Sequence, residues 1–208
     1  MFDDRRDAGI KLAESLDKYR ESKALVLAIP RGGVEVGCQV AAYLDADFSL
    51  LITRKLPFPD NPEAGFGAIA EDGSLFLFRD ATMWLSQDLI DRIVEEQSAE
   101  IRRRIGILRK GKPLPEIRDR TVILVDDGLA MGSTMRASIM LCKKEKAAMI
   151  VVAVPVAGRE VAEDIGKMVD DLVVLDTPGN FMAVAQVYRN WYDVSDKEVL
   201  EIMEKGCL

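Results

Sequence analysis

Two adjacent carboxylates, Asp126 and Asp127, stand where an apolar run ends and a loop of small residues begins. The apolar run, residues 122–125, is typical of a buried strand, and the loop over 128–133 contains two glycines. Glycine adopts backbone angles that other residues resist, so successive N–H groups of such a loop can turn toward one anion. The acids can accept hydrogen bonds from two neighbouring hydroxyls. The segment therefore predicts a site for a ligand that carries both an anion and a vicinal diol.

A helix is predicted to begin directly after this loop, at Ser133 and Thr134. The N-terminus of a helix presents unpaired N–H groups and the positive end of the helix dipole, which both favour a phosphate. The two hydroxyls can donate to the same phosphate. A phosphate beside a vicinal diol indicates a ribose 5-phosphate. The structural alternative is that the acids cap a strand and the glycines form a tight turn, but adjacent buried carboxylates without partners are costly.

Two further basic segments follow predicted strands. Arg31 precedes Gly32 and Gly33, so the backbone can approach an anion closely while the guanidinium binds it through two N–H groups. Arg54 and Lys55 follow the second predicted strand. A plain strand–helix turn and a solvated pair of cations are the alternatives for these two segments. Their placement at strand ends favours anion binding.

Composition excludes several classes of chemistry. Histidine is absent, which removes Ser-His-Asp and Cys-His catalysis and the common zinc sites. The net charge of −7 argues against a general nucleic-acid binder. No apolar run approaches the ~20 residues that cross a bilayer, so no membrane association is expected. Three scattered cysteines and a start unlike a signal peptide predict a cytoplasmic protein; the cysteines are Cys38, Cys142 and Cys207.

Apolar runs and amphipathic stretches alternate, which predicts a single α/β domain over 1–208 with a mainly parallel sheet flanked by helices. Strands are predicted over 24–29, 48–53, 122–125, 149–154 and 172–175, and helices over 4–20, 34–43, 86–110, 133–144, 158–167 and 196–205. A proline-containing loop is predicted over 55–62, before a hairpin with strands at 65–70 and 74–78. The loops after Ile29, Thr53 and Val125 leave the carboxyl ends of strands, where ligands bind in such sheets.

The segment from Thr121 to Ala137 resembles the signature of type I phosphoribosyltransferases, an apolar strand followed by two acids and a small-residue loop. The resemblance implies that Asp126 and Asp127 hold the ribose 2′- and 3′-hydroxyls of phosphoribosyl pyrophosphate (PRPP). Met131 stands where the family usually has threonine, which removes one hydroxyl donor. The implied 5′-phosphate loop consists of Ala130, Met131, Gly132, Ser133 and Thr134.

The same resemblance assigns the basic segments to pyrophosphate. Arg31, Gly32 and Gly33 would form a short pyrophosphate loop, often built with a strained or cis peptide, and Arg54 would join it. Asp126, Asp127, Arg31 and Lys55 would be the catalytic residues. Mg²⁺ is the implied cofactor; PRPP itself would carry the ion, and Asp126 or Asp127 would reach it through water.

Two segments would complete the site. An irregular insert at about 56–80, with its hairpin, corresponds to the family's mobile loop. Glu63 and Glu71 within it are acid–base candidates, and a surface carboxylate is the alternative for each. A hood-like segment at about 176–208 would face the acceptor. Phe181 and Tyr188 are its candidates for stacking on a planar base, with Trp191 and Tyr192 nearby; core packing is the alternative.

Nearly the whole chain also resembles one branch of the family, the uncharacterised predicted phosphoribosyltransferases of bacteria and archaea. The motifs are FxDRRxAG from Phe2, AIPRGGV from Ala28, NPExxxGAIAE from Asn61, VDDGLA from Val125 and FxAVxxxY from Phe181, with RKL at Arg54. The resemblance implies a pentosyltransferase of nucleotide metabolism that moves ribose 5-phosphate from PRPP to an unidentified small-molecule acceptor, and by analogy a homodimer. The alternatives are a non-catalytic PRPP-sensing regulator and a Mg²⁺-dependent hydrolase of sugar phosphates or pyrophosphate; a response-regulator receiver is a weaker one.

Overall fold

Helices and strands alternate along the chain in the computed structural model, which describes residues 1–206. The strands are β1 (Leu25–Ala28), β2 (Asp47–Leu50), β3 (Thr53–Phe58), β4 (Asn61–Ala70), β5 (Leu75–Leu77), β6 (Thr121–Val125), β7 (Met149–Val156) and β8 (Asp171–Asp176). The α-helices are α1 (Arg5–Ser15), α2 (Gly33–Leu44), α3 (Arg79–Thr82), α4 (Gln87–Leu108), α5 (Ser133–Lys144), α6 (Arg159–Gly166) and α7 (Asp196–Gly206). Short 3₁₀ helices cover Asp17–Tyr19 and Val184–Val187.

The central sheet is parallel throughout, with its five strands in the order β2-β1-β6-β7-β8. This arrangement, with helices on both faces, confirms the predicted α/β fold. In the register of β1 and β6, Ala28 lies opposite Val125. The loops that follow these two strands therefore leave the sheet side by side, and the arginine-glycine loop lies next to the acid pair.

Alternate residues of the central strands enter different cores, as expected for a sheet that is covered on both faces. Leu25 and Leu27 pack toward α5 and α6, whereas Val26 packs toward α1 and α2. These strand residues are fully buried. The covered faces leave the carboxyl edge of the sheet as the place where polar groups gather.

The predicted second strand over 48–53 is confirmed over 48–50 by β2, but its continuation to residue 53 and the predicted loop over 55–62 are wrong. The chain leaves the central sheet at Leu50, and β3 begins at Thr53 in a separate antiparallel sheet of order β3-β4-β5. The apolar run hid this break because Leu51 and Ile52 are buried as well. The prolines are tolerated because β3 is an edge strand and its pairing with β4 shifts register on both sides of Pro57.

The remaining predicted elements agree with the structure to within a few residues, and α5 has the predicted bounds. The hood-like segment is described as far as residue 206, and it consists of a loop, the second 3₁₀ helix and α7. Cys38 and Cys142 are buried, and Cys207 lies outside the described residues. No helix within residues 1–206 combines the length and apolar character that a membrane span requires.

Candidate active site

The loop between β6 and α5 leaves the N-terminus of α5 open. Gly132 is the N-cap with a φ of 71°, and no side chain caps the helix. The first helical bond runs from the Arg136 N–H to the Gly132 carbonyl (2.9 Å), so the N–H groups of the first turn have no partner within the helix. A Cβ at Gly132 would lie 2.9 Å from Val161 Cγ1, which is a second reason for glycine. The helix end can therefore bind an anion.

The open helix end faces a cleft of about 370 Å³. Lys55 reaches the cleft from β3, and its Nζ donates to the Glu63 carbonyl oxygen. Met131 is 53% exposed and lines the cleft together with the small residues of the loop. The structure thus places Lys55 beside the predicted phosphate loop. The lining residues are Lys55, Glu63, Gly65, Gly128, Leu129, Ala130, Met131, Gly132, Ser133, Thr134, Met182 and Val184.

The arginine-glycine loop packs directly against the acid pair. A Cβ at Gly32 would lie 1.8 Å from Asp127 Oδ2, and a Cβ at Gly33 would lie 2.8 Å from Asp126 Cα. Both positions therefore require glycine for the two loops to approach. The Pro30–Arg31 peptide bond is cis. A diol site and a pyrophosphate loop predicted from separate parts of the sequence are thus in contact.

The two acids lie in a partly buried and electrostatically unfavourable place. Burial, and next the charge of Asp127, raise the pKa of the Asp126 carboxyl well above its ordinary value. Burial also raises the pKa of the Asp127 carboxyl, but the Arg5 guanidinium opposes that rise. Asp126 Oδ1 accepts a hydrogen bond from the Asp127 backbone N–H (2.9 Å). Such a pair gains from any ligand that supplies hydroxyl donors or positive charge.

Further arginines lie near the arginine-glycine loop. Arg31 Nη1 lies 3.8 Å from Asp196 Oδ1 at the start of α7. Arg54 Nε donates to Gln97 Oε1 (3.0 Å), and its pKa is lowered by burial and by the nearby charge of Arg104. A bound polyanion would offset the positive charge that lowers the pKa of Arg54. The structure thus brings Arg54 into the same charged region as Arg31.

The acceptor-side candidates differ in their surroundings. Phe181 lines a second cleft of about 510 Å³, which shares Ala130 with the phosphate loop. Tyr188 is only 6% exposed, and its ring packs against Phe2 and Trp191 with centroids 5.7 and 5.3 Å away. Phe181 is partly buried and lines a cleft that a ligand could enter, whereas Tyr188 is buried among other rings. The Tyr188 hydroxyl instead donates to the Asp127 backbone oxygen (2.7 Å).

Two charged residues have environments that the sequence did not reveal. Glu71 is paired with Arg109 and accepts from the Ile52 N–H (3.0 Å), so this acid–base candidate is a buried structural residue. Arg5, on the first turn of α1, is 3% exposed, and its Nε donates to Asp127 Oδ2 (2.8 Å). The sequence signal for Arg5 was the FxDRRxAG motif, which carries no indication of its partner. Trp191 and Tyr192 lie against the Arg5 guanidinium, with ring centroids 4.0 and 5.5 Å away.

The acid pair has limited capacity for a metal ion. Within residues 1–206, no group of three or more acid or cysteine side chains is arranged to hold one. Two adjacent carboxylates beside a cationic loop suit Mg²⁺, which keeps several waters and binds through one or two carboxylates and substrate phosphates. The side chains present therefore fit an ion that is held mainly by a phosphorylated ligand.

Comparison with known proteins places these features in a family. The chain matches the family model described as "Phosphoribosyl transferase domain" over residues 4–189. Two curated relatives, each named "Putative phosphoribosyl transferase" and found in Mycobacterium tuberculosis strains H37Rv and CDC 1551, are 37% identical over 208 residues. The alignments cover 99% of this chain and 47% of each relative, so the chain spans about half the length of the curated relatives it matches.

Solved structures share the whole architecture. TT1426 from Thermus thermophilus is 36% identical with a TM-score of 0.81, over 98% of this chain and 97% of that one. A purine phosphoribosyltransferase from Pyrococcus horikoshii has the same fold at 15% identity and a TM-score of 0.50, over 92% and 93% of the two chains. The sheet, the small antiparallel sheet and the acid-pair loop define a type I phosphoribosyltransferase fold. The family match and the 37% identical relatives show that the chain belongs to the phosphoribosyl transferase family.

Proposed function

We propose that this chain transfers the 5-phosphoribosyl group of PRPP to a nucleobase-like acceptor and releases pyrophosphate. The observation that carries the proposal is the contact between the two loops, in which Gly32 packs on the carboxylate of Asp127. PRPP has its diol and its pyrophosphate on neighbouring atoms of one ribose, so a ribose site and a pyrophosphate site must adjoin. Family membership supports PRPP as the donor.

Each part of the site has a role in this reaction. Asp126 and Asp127 would accept hydrogen bonds from the ribose hydroxyls and orient the ring. The 5′-phosphate would bind the N–H groups of residues 130–134 at the α5 terminus, with Lys55 above them. Arg31 and Arg54 would stabilise charge on the departing pyrophosphate, and such electrostatic stabilisation is usually the largest catalytic contribution.

Mg²⁺ is part of the proposal as an ion that arrives on PRPP. When bound it would neutralise negative charge on the pyrophosphate group. Asp126 or Asp127 would reach the ion through water, and the chain would contribute no direct ligand. The protein's own share of catalysis is then the placement of the ribose ring and the fixed positive charge around the leaving group.

The acceptor would enter the cleft next to Phe181, whose ring can stack on a planar base. Closure of the β3–β4 hairpin over PRPP would exclude water from the reacting centre. We place the reaction in cytoplasmic nucleotide metabolism and propose that the active form is a homodimer, with neither nucleic acid nor membrane as a partner. The acceptor position rests on the side chains that line the cleft, and the other elements rest on the family.

Calorimetric titration with PRPP, with and without Mg²⁺, tests the donor. We expect Mg²⁺-dependent binding that Asp127→Asn weakens at least tenfold, because the amide replaces one acceptor with a donor. Asp88→Asn, on the exposed first turn of α4, is the matched control and should bind as the unmodified chain does. Unchanged PRPP binding in the Asp127 variant would refute the assignment.

Pyrophosphate release then tests the reaction. The unmodified chain is incubated with PRPP, Mg²⁺ and a panel of purines, pyrimidines and small amines, and pyrophosphate and the ribosylated product are both measured. Product that appears with one acceptor class supports the proposal. Binding without turnover across the panel would indicate a PRPP-sensing regulator, and release of inorganic phosphate without an acceptor would indicate a hydrolase.

A further inference from the structure

Arg5 is a buried cation that the proposed reaction does not use directly. It lies on the first turn of α1, and only 3% of its side chain is exposed. Its Nε donates to Asp127 Oδ2 (2.8 Å), and its Nη1 donates to the backbone oxygen of Tyr192 (2.9 Å). Two N–H groups of one guanidinium thus join the N-terminal helix, the acid pair and the C-terminal segment.

Aromatic packing holds this guanidinium in place. The centroid of the Trp191 ring lies 4.0 Å from Arg5 Cζ, which is a close cation–π contact. The rigid guanidinium plane loses little further freedom when it binds a carboxylate, in contrast to a lysine ammonium on a flexible stem. Arg5 is therefore fixed before any ligand arrives.

A fixed Arg5 restrains the same Asp127 carboxylate that packs against Gly32. Asp127 Oδ2 lies against the Gly32 backbone, where a Cβ would come within 1.8 Å, and it is also the oxygen that Arg5 binds. The Tyr188 hydroxyl holds the backbone of the same residue through the Asp127 carbonyl oxygen (2.7 Å). Side chain and backbone of Asp127 are both tied to segments that lie outside the signature loop.

We propose that Arg5 is a positioning residue for ribose recognition: by holding Asp127 Oδ2 it sets the orientation in which this carboxylate meets the ribose diol. The inference rests on the proposed function, because it takes Asp127 as a diol acid. It adds a residue far from the signature, 122 positions away along the chain. Arg5 acts on the ribose through Asp127 and does not contact phosphate.

This role predicts that Arg5 matters only for ligands with a ribose. PRPP presents the diol, whereas inorganic pyrophosphate presents only the anion that Arg31 and its loop would bind. Loss of a hydrogen bond to a charged group corresponds to a change of about 10- to 100-fold in affinity. Replacing Arg5 should therefore lower the affinity for PRPP by that factor and leave the affinity for pyrophosphate within about twofold of that of the unmodified chain.

The test uses the full chain and three single variants in calorimetric titrations with Mg²⁺-PRPP and with Mg²⁺-pyrophosphate. Arg5→Met removes the guanidinium, and Arg5→Lys keeps the charge without the planar fork. Arg6→Met is the matched control, because Arg6 is exposed on the same turn of α1. We expect the methionine variant at position 5 to lose PRPP affinity, the lysine variant to recover part of it, and the control to bind both ligands normally.

A double variant separates positioning from an independent role. If Arg5 acts through Asp127, Arg5→Met combined with Asp127→Asn should bind PRPP no more weakly than Asp127→Asn alone. Thermal unfolding of every variant checks the fold, and Arg5→Lys carries the comparison if the methionine variant does not fold.

Several results would overturn the inference. Losses that add in the double variant, or an equal loss for PRPP and pyrophosphate, would show that Arg5 acts apart from Asp127. Normal PRPP binding by Arg5→Met, with binding lost in Asp127→Asn, would refute the role of Arg5 and leave the proposed function standing. An unmodified chain that binds pyrophosphate but not PRPP would refute the proposed function, and this role with it.

Discussion

Gly32→Ala is the substitution for which the structure gives the sharpest expectation. The added Cβ would lie 1.8 Å from Asp127 Oδ2 and 2.4 Å from its Cγ, whereas real Cβ contacts stay beyond 3.0 Å. The carboxylate or the loop must therefore move by more than 1 Å. Arg5 Nε donates to the same carboxylate oxygen, so movement of the carboxylate also disturbs that ion pair. A displacement of about 1 Å at a reacting centre can cost roughly 100-fold in rate.

We expect Gly32→Ala to reduce PRPP binding and pyrophosphate release more than it reduces the free energy of unfolding. Overpacking typically costs about 1–3 kcal/mol, which lowers the melting temperature without abolishing the fold. We expect PRPP affinity to fall about 10- to 100-fold, measured by calorimetry, and pyrophosphate release to fall at least as far. The same change at Gly106, in α4 with no atom within 4 Å of the new Cβ, should leave binding unchanged and stabilise the chain by about 0.5–1 kcal/mol.

The result that would refute this reasoning is normal PRPP binding by a folded Gly32→Ala chain. Such a result would mean that the loop can retreat from Asp127 without consequence, and that the contact between the two loops is not the ribose–pyrophosphate junction. Binding lost together with the fold would point instead to a structural role, which circular dichroism and thermal unfolding of the same sample would reveal.

Three further substitutions probe charge. Lys55→Ala should weaken the binding of phosphate-containing ligands about five- to tenfold in calorimetry, whereas the exposed control Lys143→Ala should not. Binding by Lys55→Ala equal to that of the unmodified chain would show that Lys55 is not part of the site. Asp196→Asn should raise the affinity for inorganic pyrophosphate about two- to fivefold at low salt, because it removes the negative charge that lies 3.8 Å from Arg31 Nη1. Weaker pyrophosphate binding by this variant would contradict the expectation. Bonds from its two arginine partners lower the pKa of Glu100 to about 2, so its stabilisation is complete above pH 4.5 and is lost as the pH falls toward 2. The difference in unfolding free energy between the unmodified chain and Glu100→Gln should therefore shrink over that range in urea titrations, and a constant difference would refute it.

Local signals explain why the signature segment was predictable. Gly132 precedes a run with helical periodicity, so the start of α5 at Ser133 follows from the sequence, and the observed helix begins there. The acids end β6 because the apolar run ends at Val125. The position of Arg31 beside the acids also follows, since loops after neighbouring parallel strands leave the sheet at the same edge.

Contacts between distant segments explain what the sequence did not predict. The break between β2 and β3 was hidden because Leu51 and Ile52 are as apolar as the strands they separate. The pairing of Glu71 with Arg109 depends on how the hairpin meets the end of α4, which no local pattern encodes. Arg5 was visible only as part of a motif, because its partner Asp127 lies 122 residues away.

The first residues of the chain and the segment 187–192 meet beside the acid pair. The Phe2 N–H donates to the Val187 carbonyl oxygen (2.7 Å), and the Arg189 N–H donates to the Phe2 carbonyl oxygen (2.9 Å). The backbone of Phe2 is therefore hydrogen-bonded at both ends to residues 187–189. These backbone bonds bring both Arg5 and the Tyr188 hydroxyl within hydrogen-bond distance of Asp127.

Burying adjacent carboxylates destabilises a fold unless positive charge and hydrogen-bond donors surround them. The loop that follows β6 supplies no side chain of this kind over residues 126–132, because these are acids, glycines and apolar residues. The arginine from α1 supplies both to the Asp127 carboxylate, whereas the tyrosine from the C-terminal segment bonds only the Asp127 backbone oxygen. Neither residue lines the cleft at the α5 N-terminus. The residues that hold Asp127 in place thus lie outside the cleft and leave it free for a ligand. The FxDRRxAG and FxAVxxxY motifs are each linked to the signature segment by one hydrogen bond to Asp127, from Arg5 and from Tyr188.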